Sequence, residues 1–181
     1  AENMPAVAIT DHGVMYGAVE LNKTCHEMGG VKPIIGCEAY IIDGNIKDKT
    51  SRQNLHHLTL LSQNLQGYKN LVRLNSRAHI EGYYYKPRIN KEMLAEHKEG
   101  LIVLSGCLGA ELCQHLLHDE YEKAKASAAW YKEILGDNYY LEIQDHGYPE
   151  DRKANRGLVR ISKELGIKLC ATNDSHFTNK D

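Results

Sequence analysis

What most limits the fold of this chain is an alternation that runs its whole length. Short apolar runs end in polar residues, and amphipathic stretches separate them. The runs read as strands near Ala6–Thr10, Val31–Ile35, Glu38–Ile42, Leu58–Leu61, Leu101–Ser105, Tyr139–Ile143 and Lys168–Thr172. Helix-like stretches fall at about Tyr16–Met28, Tyr68–His79, Lys91–His97, Gly109–His118, Tyr121–Leu135 and Glu150–Leu165. The last has the clearest period, with Leu158, Ile161 and Leu165 at i, i+3 and i+7 and basic residues on the other face. Gly29-Gly30, Gly100, Gly136 and Gly166 follow helices where C-terminal caps belong. Strand alternating with helix predicts an α/β fold with largely parallel strands. Asp43–Gln53, "DGNIKDKTSRQ", is polar and without period, and reads as a surface loop.

Composition narrows the function classes. The 181 residues are 42% hydrophobic and 25% charged, enough for one sizeable core, and the net charge is −2. A domain that held nucleic acid by electrostatics alone would be basic, and this one is not. Cys25, Cys37, Cys107, Cys113 and Cys170 form no C-x-x-C pair, and their odd number argues for a reducing, cytoplasmic setting rather than a disulfide framework. No apolar stretch approaches the ~18 residues of a membrane span, and no signal peptide is visible. The abrupt start, "AENMPAVAIT", and the abrupt end at Lys180-Asp181 raise the expectation of a segment from a longer protein.

The polar residues at the strand ends carry the chemistry. Ala6–Ile9 lead into Asp11-His12, and Leu169-Cys170-Ala171 lead into Asp174 and His176, spaced D-x-H. Cys37-Glu38 lies between two apolar runs, His56-His57 opens "HHLTLL", and Gly106-Cys107 follows "LIVLS". Gln144-Asp145-His146 follows "YLEI". In a barrel of parallel strands the carboxyl ends open on one face, where such residues converge. Imidazole, carboxylate and thiolate together suit zinc, manganese or iron.

Each signal also has a plain structural reading. D-x-H can be a polar strand end, and Asp-His-Gly makes a good turn. Within that pair His12 is the candidate ligand and Asp11 its orienter. Strand alternation puts His56 and His57 on opposite faces, so at most one points inward. Cys25, Cys37, Cys113 and Cys170 read as small buried hydrophobes. His26, His79, His97, His115 and His118 read as helix-surface residues. "EGYYYKPRIN", Glu81–Asn90, interleaves tyrosines with Lys86 and Arg88. Such a stretch can stack and pair with a nucleic-acid strand, but the packed-loop reading is preferred at this net charge.

At these residues the sequence resembles a known family. "AITDHGVMYGAVE", "GVKPIIGCEAYI", "HHLTLLSQNLQGYKNLVRLNSRAHIEGYYYKPRIN", "GLIVLSGCLGAEL", "YYLEIQDHG" and "LCATNDSHF" resemble the polymerase-and-histidinol-phosphatase (PHP) domain, in the form carried by bacterial DNA polymerase III alpha subunits. The resemblance covers essentially the whole chain. It implies a distorted (β/α)7 barrel with a metal cluster at the carboxyl ends of its strands, here a single partial PHP domain over residues 1–181. It implies His12, Glu38, His57, Cys107, Asp174 and His176 as metal ligands. The family begins with a strand carrying H-x-H and a following aspartate, so the expected barrel is incomplete at its amino terminus and lacks the polymerase domains.

The resemblance further implies part of a replicative DNA-directed DNA polymerase, a nucleotidyltransferase, with metal-dependent 3′–5′ exonuclease or phosphoesterase chemistry at the PHP site. The implied cofactors are zinc or manganese here, and magnesium in the polymerase domains. The implied partners are DNA, deoxynucleotides, a sliding clamp, a clamp loader and a proofreading subunit, with no membrane. His146 is the candidate acid, base or phosphate ligand. Two other readings stay open: a structural metal module without catalysis, and a free-standing histidinol-phosphatase-like phosphoesterase. The isolated residues 1–181 are expected to be inactive.

Overall fold

The computed structural model describes residues 4–49 and 55–177. Residues 50–53 of the expected surface loop therefore lie outside the described residues. The chain packs as two compact units, one up to Val103 and one from Leu104 onward. Both are mixed α/β.

In the first unit β1 (Ala6–Ile9) runs parallel to β2 (Lys32–Ile42), with Ala6 opposite Lys32 and Ile9 opposite Ile35. Helix α1 (Ala18–Met28) makes the crossover between them. β3 (Leu55–Ser62) lies antiparallel on the other side of β2, from Gly36 opposite Leu61 to Ile42 opposite Leu55. β4 (Arg88–Asn90) pairs with the end of β2 in parallel. Helix α2 (Leu65–Ile80) packs Leu71 and Leu74 into the core, and α3 (Lys91–Glu96) adds Met93 and Leu94. β5 (Leu101–Leu104) pairs with β3.

Four sequence expectations change here. β2 is one strand, although its sequence suggested two runs broken at Gly36. A Cβ at Gly36 would sit 2.6 Å from the Leu60 carbonyl oxygen and 2.7 Å from Leu61 Cδ2, so glycine is what lets β3 close on an unbroken strand. The largely parallel sheet contains an antiparallel pair, β2–β3. A direct loop can join antiparallel neighbours, whereas parallel neighbours need a crossover. The segment after Tyr85, read as loop, supplies β4. Helix α2 starts three residues before its expected Tyr68 because Asn64 caps it, Oδ1 accepting from Gly67 N at 3.0 Å.

In the second unit β6 (Tyr139–Ile143) runs parallel to β7 (Lys168–Ala171), and α6 (Pro149–Leu165) makes the crossover. α6 begins at Pro149, one residue before its expected start, and Gly166 caps its end in the left-handed conformation, as the sequence predicts. It buries Ala154, Leu158 and Ile161. α4 (Glu111–Leu117) and α5 (Tyr121–Leu135) pack beside it, and Ala124 and Ala128 keep the α5 surface small.

Candidate metal centre

The register of three strands assembles the centre in the first unit. The β1–β2 ladder pauses after Ile9 and resumes in the same register, with His12 bridging Glu38. Asp11 O accepts Glu38 N at 3.0 Å, and Gly13 N donates to Glu38 O at 2.9 Å. The β2–β3 ladder sets Tyr40 opposite His57 and Glu38 opposite Thr59. Side chains alternate along a strand, so these four share one face while Cys37, Ala39, Leu58 and Leu60 turn to the other.

Glu38 is only 7% exposed. A buried carboxylate is costly unless polar partners face it. His57 Nδ1 lies 2.7 Å from Glu38 Oε1, and His12 Nδ1 lies 3.5 Å from Glu38 Oε2. One ligand atom from each residue fits within a mutual 4.8 Å. Tyr40 backs the cluster, its ring stacked on His12 at 6.1 Å and edge-on to His57 at 5.3 Å.

Two imidazoles and a carboxylate are a donor set found in catalytic zinc sites. Metal–ligand bonds of ~2.0–2.2 Å put neighbouring donor atoms about 3.4 Å apart in a tetrahedral shell. The His12–Glu38 spacing of 3.5 Å already suits that, and the His57–Glu38 pair, at 2.7 Å, has to open by ~0.7 Å. The residues present therefore fit a divalent ion.

Gly13 completes the turn that aims His12. Its φ is +64°, and a Cβ there would meet Pro87 Cγ at 2.7 Å. Asp11, expected to orient His12, instead uses Oδ2 to accept the Gly17 N–H at 3.0 Å, which fixes the approach to α1. Of the adjacent histidines, His57 faces the cluster and His56 is buried on the core side. Cys37 also turns to the core. Burial pushes its thiol up to about 12, and its Sγ accepts a hydrogen bond from Asn75.

Cys107, Asp174, His176 and His146 belong to the second unit. Within the described residues of that unit, no three metal-competent side chains come as close as the first unit's trio. Cys107 is half-buried in the turn after β5, its carbonyl accepting from Ala110 N at 3.0 Å. Asp174 holds a left-handed backbone, φ +48°, and its carbonyl lies 2.8 Å from His176 Nδ1. His146 Nε2 lies 3.0 Å from Asn173 O, and its Nδ1 lies 3.6 Å from Asp151 Oδ2. The Asn173 carbonyl, chiefly, raises the imidazole pKa, which favours the protonated ring. Burial pushes the Cys113 thiol up to about 12, in line with its reading as a core residue.

Glu142 is among the buried acidic groups that the sequence reading passed over. Glu142, 5% exposed, accepts from Gly106 N, from Gln144 Nε2 and from the Thr172 hydroxyl. Its signal was the one applied to Glu38, a carboxylate between apolar neighbours in "YLEI".

Residues 1–146 match the PHP domain family. The chain belongs to that family. It is 50% identical over 182 aligned residues to the DNA polymerase III subunit alpha of Deinococcus radiodurans, an alignment covering 97% of this chain and 14% of that protein. The corresponding protein of Thermus aquaticus is 48% identical, over 98% of this chain and 15% of its own length. That of Campylobacter jejuni is 45% identical, over 97% and 15%. The chain thus spans about one-seventh of the length of these relatives. Among the described residues no helix is long and apolar enough to cross a membrane.

Proposed function

We propose that this chain is part of the PHP domain of a replicative DNA polymerase alpha subunit, and that the site at Glu38 performs metal-dependent 3′–5′ exonuclease or phosphoesterase chemistry in the intact protein. The observation that carries the reading is the convergence of His12, Glu38 and His57 on a buried carboxylate. The likeness to DNA polymerase III alpha subunits supplies the polymerase context. In that context the residues form one partial PHP domain of a distorted (β/α)7 barrel, and the family resemblance adds Cys107, Asp174 and His176 as proposed ligands. The parent enzyme is a cytoplasmic DNA-directed DNA polymerase using magnesium. Its partners are DNA, deoxynucleotides, a sliding clamp, a clamp loader and a proofreading subunit.

A divalent ion, zinc or manganese, would supply a Lewis acid for a phosphate oxygen and a water acidic enough to attack phosphorus. The chain's own residues do the rest. Glu38 and the two imidazoles are held by paired strands, so their donor atoms stay oriented. Tyr40 walls one side of the cluster. His146, protonated more readily than an ordinary histidine, is suited to donate a proton to a departing alkoxide or to hold a phosphate oxygen.

The test compares wild type, Glu38→Gln and Asp174→Asn in the intact protein, measuring bound metal and release of nucleotides from a 3′-labelled single strand. Metal-dependent release that falls at least ~100-fold in Glu38→Gln is expected, since even residues that merely orient ligands cost 10–100-fold. Bound metal with no release in wild type would leave the structural metal module. Metal content untouched by Glu38→Gln would remove the site.

A further inference from the structure

The tyrosine-rich segment beside the cluster is built as a displayed loop. Arg88, 2% exposed, is not a surface cation: its guanidinium donates to the carbonyls of Gly82, Ile46 and Asp48. Those bonds pin both ends of the loop from Tyr83 to Pro87. At Gly82 a Cβ would lie 2.0 Å from the Arg88 carbonyl oxygen, so the neck is closed tight. Tyr84 N donates to Lys86 O at 3.1 Å, leaving Tyr85 at the tip.

Tyr85 has φ +59°, a conformation that L-residues adopt reluctantly and glycine adopts freely. Tyr85 is nevertheless 71% exposed, and Tyr83 is 51% exposed. The Tyr85 ring meets that of Tyr84 edge-on, centroids 4.6 Å apart, yet the residue stays mostly open to solvent at a position suited to glycine. Strain of this kind gathers at ligand sites.

Three contacts place the loop against the metal cluster. Pro87 packs on Gly13, next to His12. The Lys86 ammonium lies 5.2 Å from the centre of the Tyr40 ring, whose edge and face meet His57 and His12. Tyr83 stacks at 6.3 Å on His79, whose Nε2 lies 2.9 Å from Gly13 O. Exposed rings with one neighbouring cation suit a strand whose bases are unpaired, because every base offers a π-face and each step carries a phosphate.

We propose that Tyr83, Tyr85 and Lys86 seat a single DNA strand and lead its end to the His12–Glu38–His57 cluster. The substrate role of the seat rests on the phosphoester reading above; strand binding itself does not. Tyr83 and Tyr85 stack on bases, and Lys86 meets a phosphate. A duplex, with its bases already stacked, is a poor occupant.

The test uses the intact protein in EDTA and an oligonucleotide of about 12 nucleotides carrying 5-iododeoxyuridine. Cross-linked peptides are mapped by mass spectrometry. Cross-links at Tyr83 or Tyr85 are expected, competed by unlabelled single strand and not by duplex. Tyr85→Gly should fold at least as well as wild type and lose roughly five-fold or more of the cross-linking at Tyr83, as expected from losing one base–aromatic stack. Tyr85→Phe should retain it. Absence of cross-links between Gly82 and Arg88, equal competition by duplex, or Tyr83 cross-linking unchanged in Tyr85→Gly would each overturn the proposal. Glu38→Gln separates the two readings. It should empty the metal site and leave cross-linking intact, so loss of nuclease activity with a working strand seat, or the reverse, is visible.

Discussion

Two buried carboxylates, Glu38 in the first unit and Glu142 in the second, are set on strands in similar apolar sequence and do different work. Glu38 faces two imidazoles, groups that can exchange a carboxylate contact for a metal bond. Glu142 faces a backbone N–H, a side-chain amide and a hydroxyl, none of which can do so. Its backbone N donates to Ser105 Oγ at 2.9 Å, and its carboxylate reaches Gly106 and Thr172, so it ties together the segments that follow β5, β6 and β7. The difference teaches that the neighbours, more than the residue type, decide whether a buried acid is a ligand or a latch.

The largest expected effect breaks the comparison at Glu38. Glu38→Gln should lower metal affinity of the intact protein by at least ~100-fold, measured by titration against a chromogenic chelator, with stability of the metal-free form changing by no more than about 1 kcal/mol. Next comes Glu142→Ala, which should lower unfolding free energy by about 2–3 kcal/mol in urea while leaving metal affinity within a few-fold, because it strands buried donors. If Glu142→Ala empties the metal site and Glu38→Gln unfolds the protein, the assignment of ligand and latch is reversed.

Gly13→Ala is a smaller change that sharpens the geometry. The new Cβ meets Pro87 and a left-handed backbone, so a loss of about 1–2 kcal/mol is expected, together with roughly ten-fold weaker metal binding as His12 is displaced. Equal affinity in that variant would mean that His12 does not depend on its turn. The smallest effect is read at the thiols. Metal should slow labelling of Cys107 and chelation should restore it, whereas buried Cys25 and Cys113 and half-buried Cys170 should label at rates indifferent to metal. Metal-independent labelling of Cys107 would remove it from the proposed ligand set.

Much of this fold is legible in local sequence. Helix α5 runs from Tyr121 to Leu135 and strand β6 from Tyr139 to Ile143, where period and composition place them. These elements are continuous in sequence, and their buried faces repeat within a few residues. Less legible are β4, whose three residues find order only beside β2, and the unbroken β2, whose Gly36 looks like a break until β3 closes on it. Neither has enough local pattern to announce itself, because its hydrogen bonds come from residues far away in the chain.

The candidate site divides the same way. By itself the sequence determined which side chains could take part: histidine, glutamate and cysteine at strand ends, in motifs specific enough to place the chain in the PHP family. Tertiary structure alone decided what they do. A strand register with Tyr40 opposite His57 brings Glu38 under both imidazoles, whereas a slip by one residue would turn every one of them to the other face. The same packing gives Asp11 to Gly17, buries Arg88 among carbonyls and holds Glu142 among hydrogen-bond donors. Ligand identity is a property of a residue, but coordination is a property of distances, and distances between residues remote in sequence exist only once the strands have paired.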